Sequence, residues 1–135
     1  MDYPTELPLR AQEDVVSVRS VVRSSAVSIG LSLIDQTKVV TAASELGRNT
    51  VIHGGGGSVR IEVVQEVGRK GIRLTFEDKG PGIRDIEQAL KDGYTTGNGL
   101  GLGLGGARRL CSEFTIDSTP GSGTRIMITQ WTKKL

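Results

Sequence analysis

Glycine constrains this chain more than any other residue. There are 19 in 135 positions, and most are gathered into four clusters: residues 54–57, residues 80–82 around Pro81, residues 97–106 and residues 121–123. Lacking a Cβ, glycine reaches positive φ and lets a second backbone or a ligand come close, at an entropic cost on folding. The clusters therefore mark turns and close approaches, and the segments between them must supply the core.

Those segments divide by period. Val15, Val18, Val22, Ala26 and Ile29 recur at three- and four-residue steps, which predicts a helix over residues 11–29 stopped by Gly30. Ser32 or Asp35 can cap a second helix running to about Val51, with Val39, Ala42, Leu46 and Thr50 on one stripe and the Gly54 cluster ending it. The period then becomes two. Val59, Ile61 and Val63 alternate with polar residues, residues 68–71 read as a turn, and Ile72, Leu74 and Phe76 alternate again. A short helix is expected over residues 85–90, a loop over 91–98, and a helix from the glycine run through Cys111. Phe114 to Ile116 and Arg125 to Thr129 read as a second strand pair joined by a Pro120–Gly123 turn. Leu7 and Leu9 alternate as an edge strand does, within a leader of ten residues that is either that strand or loose. Helices first and antiparallel strands later predict an α+β two-layer sandwich, a mixed and mostly antiparallel sheet covered on one face by helices.

Composition bounds the function. The length suits one domain, residues 1–135. One cysteine and one histidine allow neither an internal disulfide nor a Cys/His metal site. Seventeen basic and fifteen acidic residues, well mixed, give no electrostatic case for nucleic acid. No apolar run approaches the ~18 residues of a membrane span, and Met1-Asp2-Tyr3-Pro4 does not begin a signal peptide. The expectation is a soluble cytoplasmic protein with no membrane partner.

Three constellations can carry chemistry. Glu45 and Asn49 are one helical turn apart on one face; a carboxylate and an amide held there can share Mg²⁺, which prefers oxygen ligands, although an isolated pair of this kind is most often a solvated face. Asp78 ends a strand just before Gly80-Pro81-Gly82-Ile83, where two glycines exceed what a plain turn requires. In residues 97–106 successive backbone N–H groups can converge on phosphate oxygens at the start of a helix. No strand precedes this run, so it is not a dinucleotide fingerprint, and Ala107-Arg108 stands where a Walker loop needs Lys-Ser or Lys-Thr. The alternating Leu100, Leu102 and Leu104 argue against a linker.

The order of these elements is more specific than any one of them. Glu-x-x-x-Asn on a helix, Asp-x-Gly-x-Gly after a strand, Gly-x-Gly-x-Gly before a helix and Gly-x-Gly-Thr before a last strand resemble the Bergerat ATP-binding fold of the GHKL superfamily. The resemblance covers Thr41 to Ile128. It implies ATP and Mg²⁺ as cofactors, Glu45 as general base and Asn49 as Mg²⁺ ligand. It further implies that Asp78 accepts from the adenine amine, that Gly80, Gly82 and Ile83 line the base pocket, that Gly99, Leu100, Gly101, Leu102 and Gly103 belong to a lid over the phosphates, and that Thr124 closes the adenine side.

A stand-alone domain of this length resembles the anti-sigma-factor type serine/threonine kinases of bacteria. Ser44-Glu45-Leu46-Gly47-Arg48-Asn49, Glu77 to Ile83, Asp92-Gly93-Tyr94-Thr95-Thr96 and Gln130-Trp131 are similar to the stressosome switch kinases of that group. This implies phosphoryl transfer from ATP to a serine or threonine of a STAS-domain antagonist protein and, on release, activation of a partner phosphatase in a stress or sigma-factor switch. An anti-sigma factor that sequesters a sigma factor in an ATP-dependent manner is the alternative, because both share the nucleotide site. Arg48, Lys79, Arg108 and Arg109 are expected to be solvated, His53 to bond at a helix end, and Cys111, Phe114 and Trp131 to pack.

Overall fold

The computed structural model describes residues 3–91 and 103–134. Its elements run β1 (Thr5–Leu9), α1 (Gln12–Ser28), α2 (Leu33–Ile52), β2 (Gly57–Glu66), β3 (Arg69–Asp78), α3 (Ile86–Ala89), α4 (Gly103–Leu110), β4 (Glu113–Thr119) and β5 (Gly123–Trp131). The strands form one sheet in the order β1-β2-β3-β5-β4, and every pairing is antiparallel.

Both long helices begin and end where their chemistry dictates. At the start of α1 the Asp14 carboxylate accepts from the backbone N–H groups of Arg10 (2.8 Å) and Ala11 (3.0 Å). Those two bonds hold its pKa below the ordinary carboxylate value. Ser32 caps α2 by accepting from the Asp35 N–H at 3.1 Å. The expected stripes become the core: Val18, Val22, Ala26, Val39, Ala42 and Leu46 are buried against Val59, Ile61, Ile72, Leu74, Phe76 and Ile128 of the sheet. Because side chains alternate along each strand, the opposite face carries Arg60, Glu62, Arg73, Thr75, Glu77, Arg125 and Met127, and none of the described helices covers it.

One turn differs from expectation. The β2–β3 hairpin closes at Val67-Gly68, with Glu66 opposite Arg69 and Gly68 at φ +83°, so the strand runs on through Gly71. Gly71 is inside the strand because the Trp131 ring lies over it: a Cβ at Gly71 would stand 2.7 Å from Trp131 Cε3. The Trp131 indole donates to Glu113 at 2.7 Å and the Arg69 guanidinium stacks on its ring at 4.3 Å. Trp131 therefore packs, on the otherwise open face of the sheet.

Candidate functional site

The site begins with a row of residues running across the sheet. Gly57 on β2 pairs with Asp78 on β3, Asp78 pairs with Thr124 on β5, and Thr124 pairs with Ser118 on β4. Directly opposed residues share a face, so Asp78, Thr124 and Ser118 stand side by side on the helix-covered face at one end of the sheet. Asp78 Oδ1 accepts from the Gly80 N–H at 2.9 Å. Ser118 Oγ lies 2.8 Å from Thr124 Oγ1, accepts from the Ile83 N–H at 2.8 Å, and donates to the Gly123 carbonyl at 3.1 Å.

Glycines bring the neighbouring segments onto this row. A Cβ at Gly54, just past the end of α2, would overlap the Asp78 carboxylate, and one at Gly80 would stand 2.7 Å from the Gly54 carbonyl oxygen. The end of α2 is thereby pressed against Asp78 from one side. From the other side, Gly82 at φ +77° lies where a Cβ would overlap the Thr119 carbonyl, and the Gly121 N–H donates to Pro81 O at 2.7 Å. Together with the Ile83–Ser118 bond, this fastens residues 80–83 to the β4–β5 hairpin. The residues expected around a base, Asp78, Gly80, Gly82, Ile83 and Thr124, thus converge on one place.

Glu45 and Asn49 are both half-buried on α2, one position behind the buried Leu46 and Thr50 on the helical wheel. Glu45 Oε1 is 3.4 Å from Arg48 Nη1, so Arg48 is an ion-pair partner of Glu45 as well as partly solvated. Such a pair is worth about 0.5 kcal/mol and can be broken at little cost. The Asn49 carbonyl accepts from both the His53 N–H (2.9 Å) and the Gly54 N–H (3.1 Å), and His53 caps the helix end as expected. Glu45 is seven residues short of the last α2 residue, about 10 Å along the axis.

Gly103 opens α4 at φ +71°, and Gly105 passes so close to the Leu90 carbonyl that no Cβ fits between them. Helix α4 packs on α2, with Leu104 and Ala107 in the common core. Gly99, Leu100, Gly101 and Leu102 lie outside the described residues, as does the segment 92–96. Cys111 follows the end of α4 instead of lying within it and is only partly buried, packed against the core; burial pushes its thiol up to about 12.

Three residues of the site drew no attention in the sequence. Gly54 and Gly57 read only as a helix stop, and Ser118 falls between the strand expected at 114–116 and the turn expected at 120–123. A signal for Ser118 existed: a hairpin centred on Gly121 places residue 118 opposite residue 124. A separate recess of about 350 Å³ on the uncovered face is lined by Arg60, Arg73, Thr75, Glu77, Arg125 and Met127. It is laced by Arg60–Glu62 (3.0 Å) and Arg125–Glu77 (3.2 Å) pairs, and the thickness of the sheet separates it from Asp78.

A metal ion at Glu45 and Asn49 is compatible with this donor set. Both offer oxygen, one turn apart, and Mg²⁺ commonly takes only one or two protein ligands, completing its shell with water and substrate phosphates. Among the described residues no group of three or more His, Cys, Asp or Glu stands ready to hold a metal by itself. No described helix is long and apolar enough to cross a membrane.

Asp78 is thus held among glycines at the end of a long helix that carries a carboxylate and an amide further along. Residues 34–134 match the histidine kinase-, DNA gyrase B-, and HSP90-like ATPases, and the chain belongs to that family. It is 42% identical over 118 residues to the serine/threonine-protein kinase RsbT of Bacillus subtilis, covering 87% of this chain and 89% of that protein. It is 36% identical over 106 residues to an anti-sigma F factor of Clostridium novyi, covering 73% of each. Among solved structures, the RsbU and RsbW domains of a Mycobacterium tuberculosis protein superpose with a TM-score of 0.65 at 23% identity, covering 96% of this chain and 32% of that one. The mycobacterial sensor histidine kinase MprB superposes with a TM-score of 0.56 at 19% identity, covering 98% of this chain and 99% of that one, which supports the same α+β fold. The chain is a protein-kinase homologue with a kinase or anti-sigma regulatory role.

Proposed function

We propose that this chain, as one ATP-binding kinase domain over residues 1–135, transfers the γ-phosphoryl group of ATP to a serine or threonine hydroxyl of a small STAS-domain protein. The observation that carries the reading is the meeting of Asp78, Gly54, Gly80 and Thr124 at the end of α2, with Glu45 on the same helix about 10 Å away. The base of a nucleotide held at Asp78 then leaves ribose and triphosphate to run along α2 toward Glu45.

Each residue has a task. Asp78 accepts a hydrogen bond from the adenine amine, Gly80, Gly82 and Ile83 give the base a flat wall, and Thr124 closes its edge. The glycine run at 99–103 supplies backbone amides for the phosphates. Asn49 is the residue that would hold Mg²⁺, through its amide oxygen, and a divalent cation there would supply charge neutralisation for the phosphates. Glu45 leaves Arg48 and takes the proton of the substrate hydroxyl as that oxygen bonds to the γ-phosphorus; the bond to the bridging oxygen breaks and ADP departs. Transfer of this kind is positioning and charge stabilisation, which a rigid helix carrying both Glu45 and Asn49 provides. Release of the kinase from its substrate, in the cytoplasm, frees it to activate a partner phosphatase.

A second reading, an anti-sigma factor that retains a sigma factor when ATP is bound, is favoured by the 36% identity to an anti-sigma F factor. One experiment separates the two. The purified protein is mixed with γ-labelled ATP, Mg²⁺ and a STAS-domain protein, with Glu45→Gln as control. Label on the STAS protein that disappears in the variant supports the kinase. ATP binding without label, with a sigma factor co-purifying, supports the second reading and removes the first.

A further inference from the structure

Gly47 stands in the interior of α2, between Leu46 and Arg48, where nothing in its surroundings requires a glycine. It is buried, and its φ is not positive. A Cβ there would stand 3.6 Å from Leu9 Cδ2 and 3.6 and 3.7 Å from the two Val15 methyl groups, which is ordinary van der Waals contact. At Gly54, Gly57, Gly80, Gly82 and Gly105, by contrast, no Cβ fits. Close approach of a ligand does not explain Gly47 either. At about 3.6 residues per turn, position 47 lies roughly 180° around the helix from the face that carries Glu45 and Asn49. A methyl group at 47 would point toward β1 and α1 and away from a nucleotide on that face. Alanine would fill the space and is the better helix former, since glycine in a helix interior leaves the backbone freer. The same turn is loosened a second time: the Thr50 hydroxyl donates to the Leu46 carbonyl at 2.9 Å, a bond that competes with the backbone ladder across Gly47 and favours bending.

From this we infer that Gly47 is a positioning residue for phosphoryl transfer, the step of α2 at which the backbone yields so that Glu45 can leave Arg48 and close on the substrate hydroxyl. The inference rests on the reading of Glu45 as base and Asn49 as metal ligand, and deepens it. Glu45 lies on one side of Gly47 in the chain, Arg48 and Asn49 on the other, and Glu45 Oε1 is held 3.4 Å from Arg48 Nη1. A small change in backbone angle at 47 therefore alters both separations together. The helix is stiff on either side of this step: Val39, Val40, Ala42 and Ala43 are fixed in the core before it, and the Gly54–Asp78 contact pins the end of α2 after it. Gly47 touches no ligand, and its effect is on the setting of Glu45 relative to Asn49.

The test uses the full chain, γ-labelled ATP, Mg²⁺ and a STAS-domain protein, and reads stability, ATP affinity and single-turnover transfer separately. Gly47→Ala should raise the folding equilibrium constant about fivefold, the scale of a glycine-to-alanine change in a helix interior. It should leave ATP affinity unchanged and slow transfer at saturating ATP about tenfold or more, as loss of fine positioning does. Hydrogen exchange of the amides of residues 48–51 should slow more than that of the rest of α2. Adding Ala43→Gly to Gly47→Ala moves the glycine one turn toward the start of α2, outside the interval between Glu45 and Asn49. Stability should then return toward wild type while transfer stays slow. Recovery of transfer in the double variant overturns the inference, because overall stability and not the place of the glycine would then set the rate. Gly47→Ala that is more stable and transfers at the wild-type rate overturns it as well, and leaves Glu45 and Asn49 in their roles. Gly47→Ala that is less stable or does not fold shows a glycine required by packing and overturns it too. Wild type that binds ATP and labels nothing overturns the kinase reading, and this inference with it.

Discussion

Gly54 and Asp78 occupy touching positions: the α-carbon that follows the end of α2 leaves no room for a methyl group against the Asp78 carboxylate. This contact joins the helix that carries Glu45 and Asn49 to the strand end that carries Asp78. Gly80 repeats the close approach from the other chain segment, with its own would-be Cβ 2.7 Å from the Gly54 carbonyl oxygen. The two glycines thus set the spacing between the two halves of the site.

Gly54→Ala should therefore impair nucleotide binding more than it impairs folding. Overpacking of this kind costs about 1–3 kcal/mol, and here the strain falls on Asp78, so ATP affinity should drop about tenfold or more while the helical circular dichroism spectrum is retained. An alanine variant that binds ATP as tightly as wild type would show that Asp78 is free to move aside without loss.

Glu45→Gln and Asp78→Asn should separate chemistry from binding. Loss of a general base typically costs about 10²–10⁴ in rate, so Glu45→Gln should bind ATP within twofold (roughly) of wild type and lose transfer to that extent. Asp78→Asn replaces an acceptor by a group that can also donate, and should lose ATP affinity with the fold intact. Calorimetry and single-turnover transfer measure the two effects independently, and a Glu45→Gln enzyme with normal turnover removes Glu45 as base.

The hairpin position of Gly71 makes a prediction about stability alone. A Cβ there meets the Trp131 ring at 2.7 Å, and Trp131 is held by Glu113 and Arg69. Gly71→Ala should lower unfolding free energy by about 1–3 kcal/mol, seen as a reduced urea midpoint with unchanged ATP affinity, because Trp131 lies on the face of the sheet opposite Asp78. An unshifted midpoint would mean that the indole moves at no cost.

Cys111 should make the protein sensitive to alkali. Burial raises its pKa from the ordinary 9.0 to about 12 in the folded state. Above pH 9 the unfolded chain ionises its thiol and the folded chain does not, so the stability the neutral thiol contributes is present below pH 9 and declines between pH 9 and about 12. Urea midpoints of wild type and Cys111→Ala should converge or cross over this interval. Labelling of the native thiol by iodoacetamide at pH 8 should be far slower than that of the denatured chain; equal rates would show an accessible thiolate.

Much of the fold was legible because burial on one face imposes a period. Val15, Val18, Val22 and Ala26 gave α1 within a residue at each end, and Ser32 and the Gly54 cluster gave α2 nearly as well. The β2–β3 turn closes at residues 67–68 and not across the expected 68–71, a difference hidden in the sequence because Gly68 and Gly71 look alike there. Only the first has a positive φ; the second is glycine to admit an indole from a strand some sixty positions later in the chain. Of the candidate site, Glu45, Asn49, Asp78 and Thr124 stand in the sequence as spaced motifs, all within the residues 34–134 that match the family. Arg48 pairs with Glu45 while staying partly solvated, a pairing the helix surface alone does not reveal because it gives no sign of which charge will turn back on its neighbour. Ser118 lies past the alternating Phe114 and Ile116, and only the hairpin centred on Gly121 places it opposite Thr124.

By itself the sequence determined the elements, the covered face of each and the residue types needed at a nucleotide site, because periodicity, capping and turn chemistry are local and are written in adjacent residues. The tertiary structure decided the rest. Pairing β5 between β3 and β4 sets Asp78, Thr124 and Ser118 in one row, and the close passage of Gly54 against Asp78 brings the end of α2 to that row. Strand order and close packing depend on contacts between segments far apart in the chain, and those contacts bring the end of α2, the end of β3 and the start of β5 to one place.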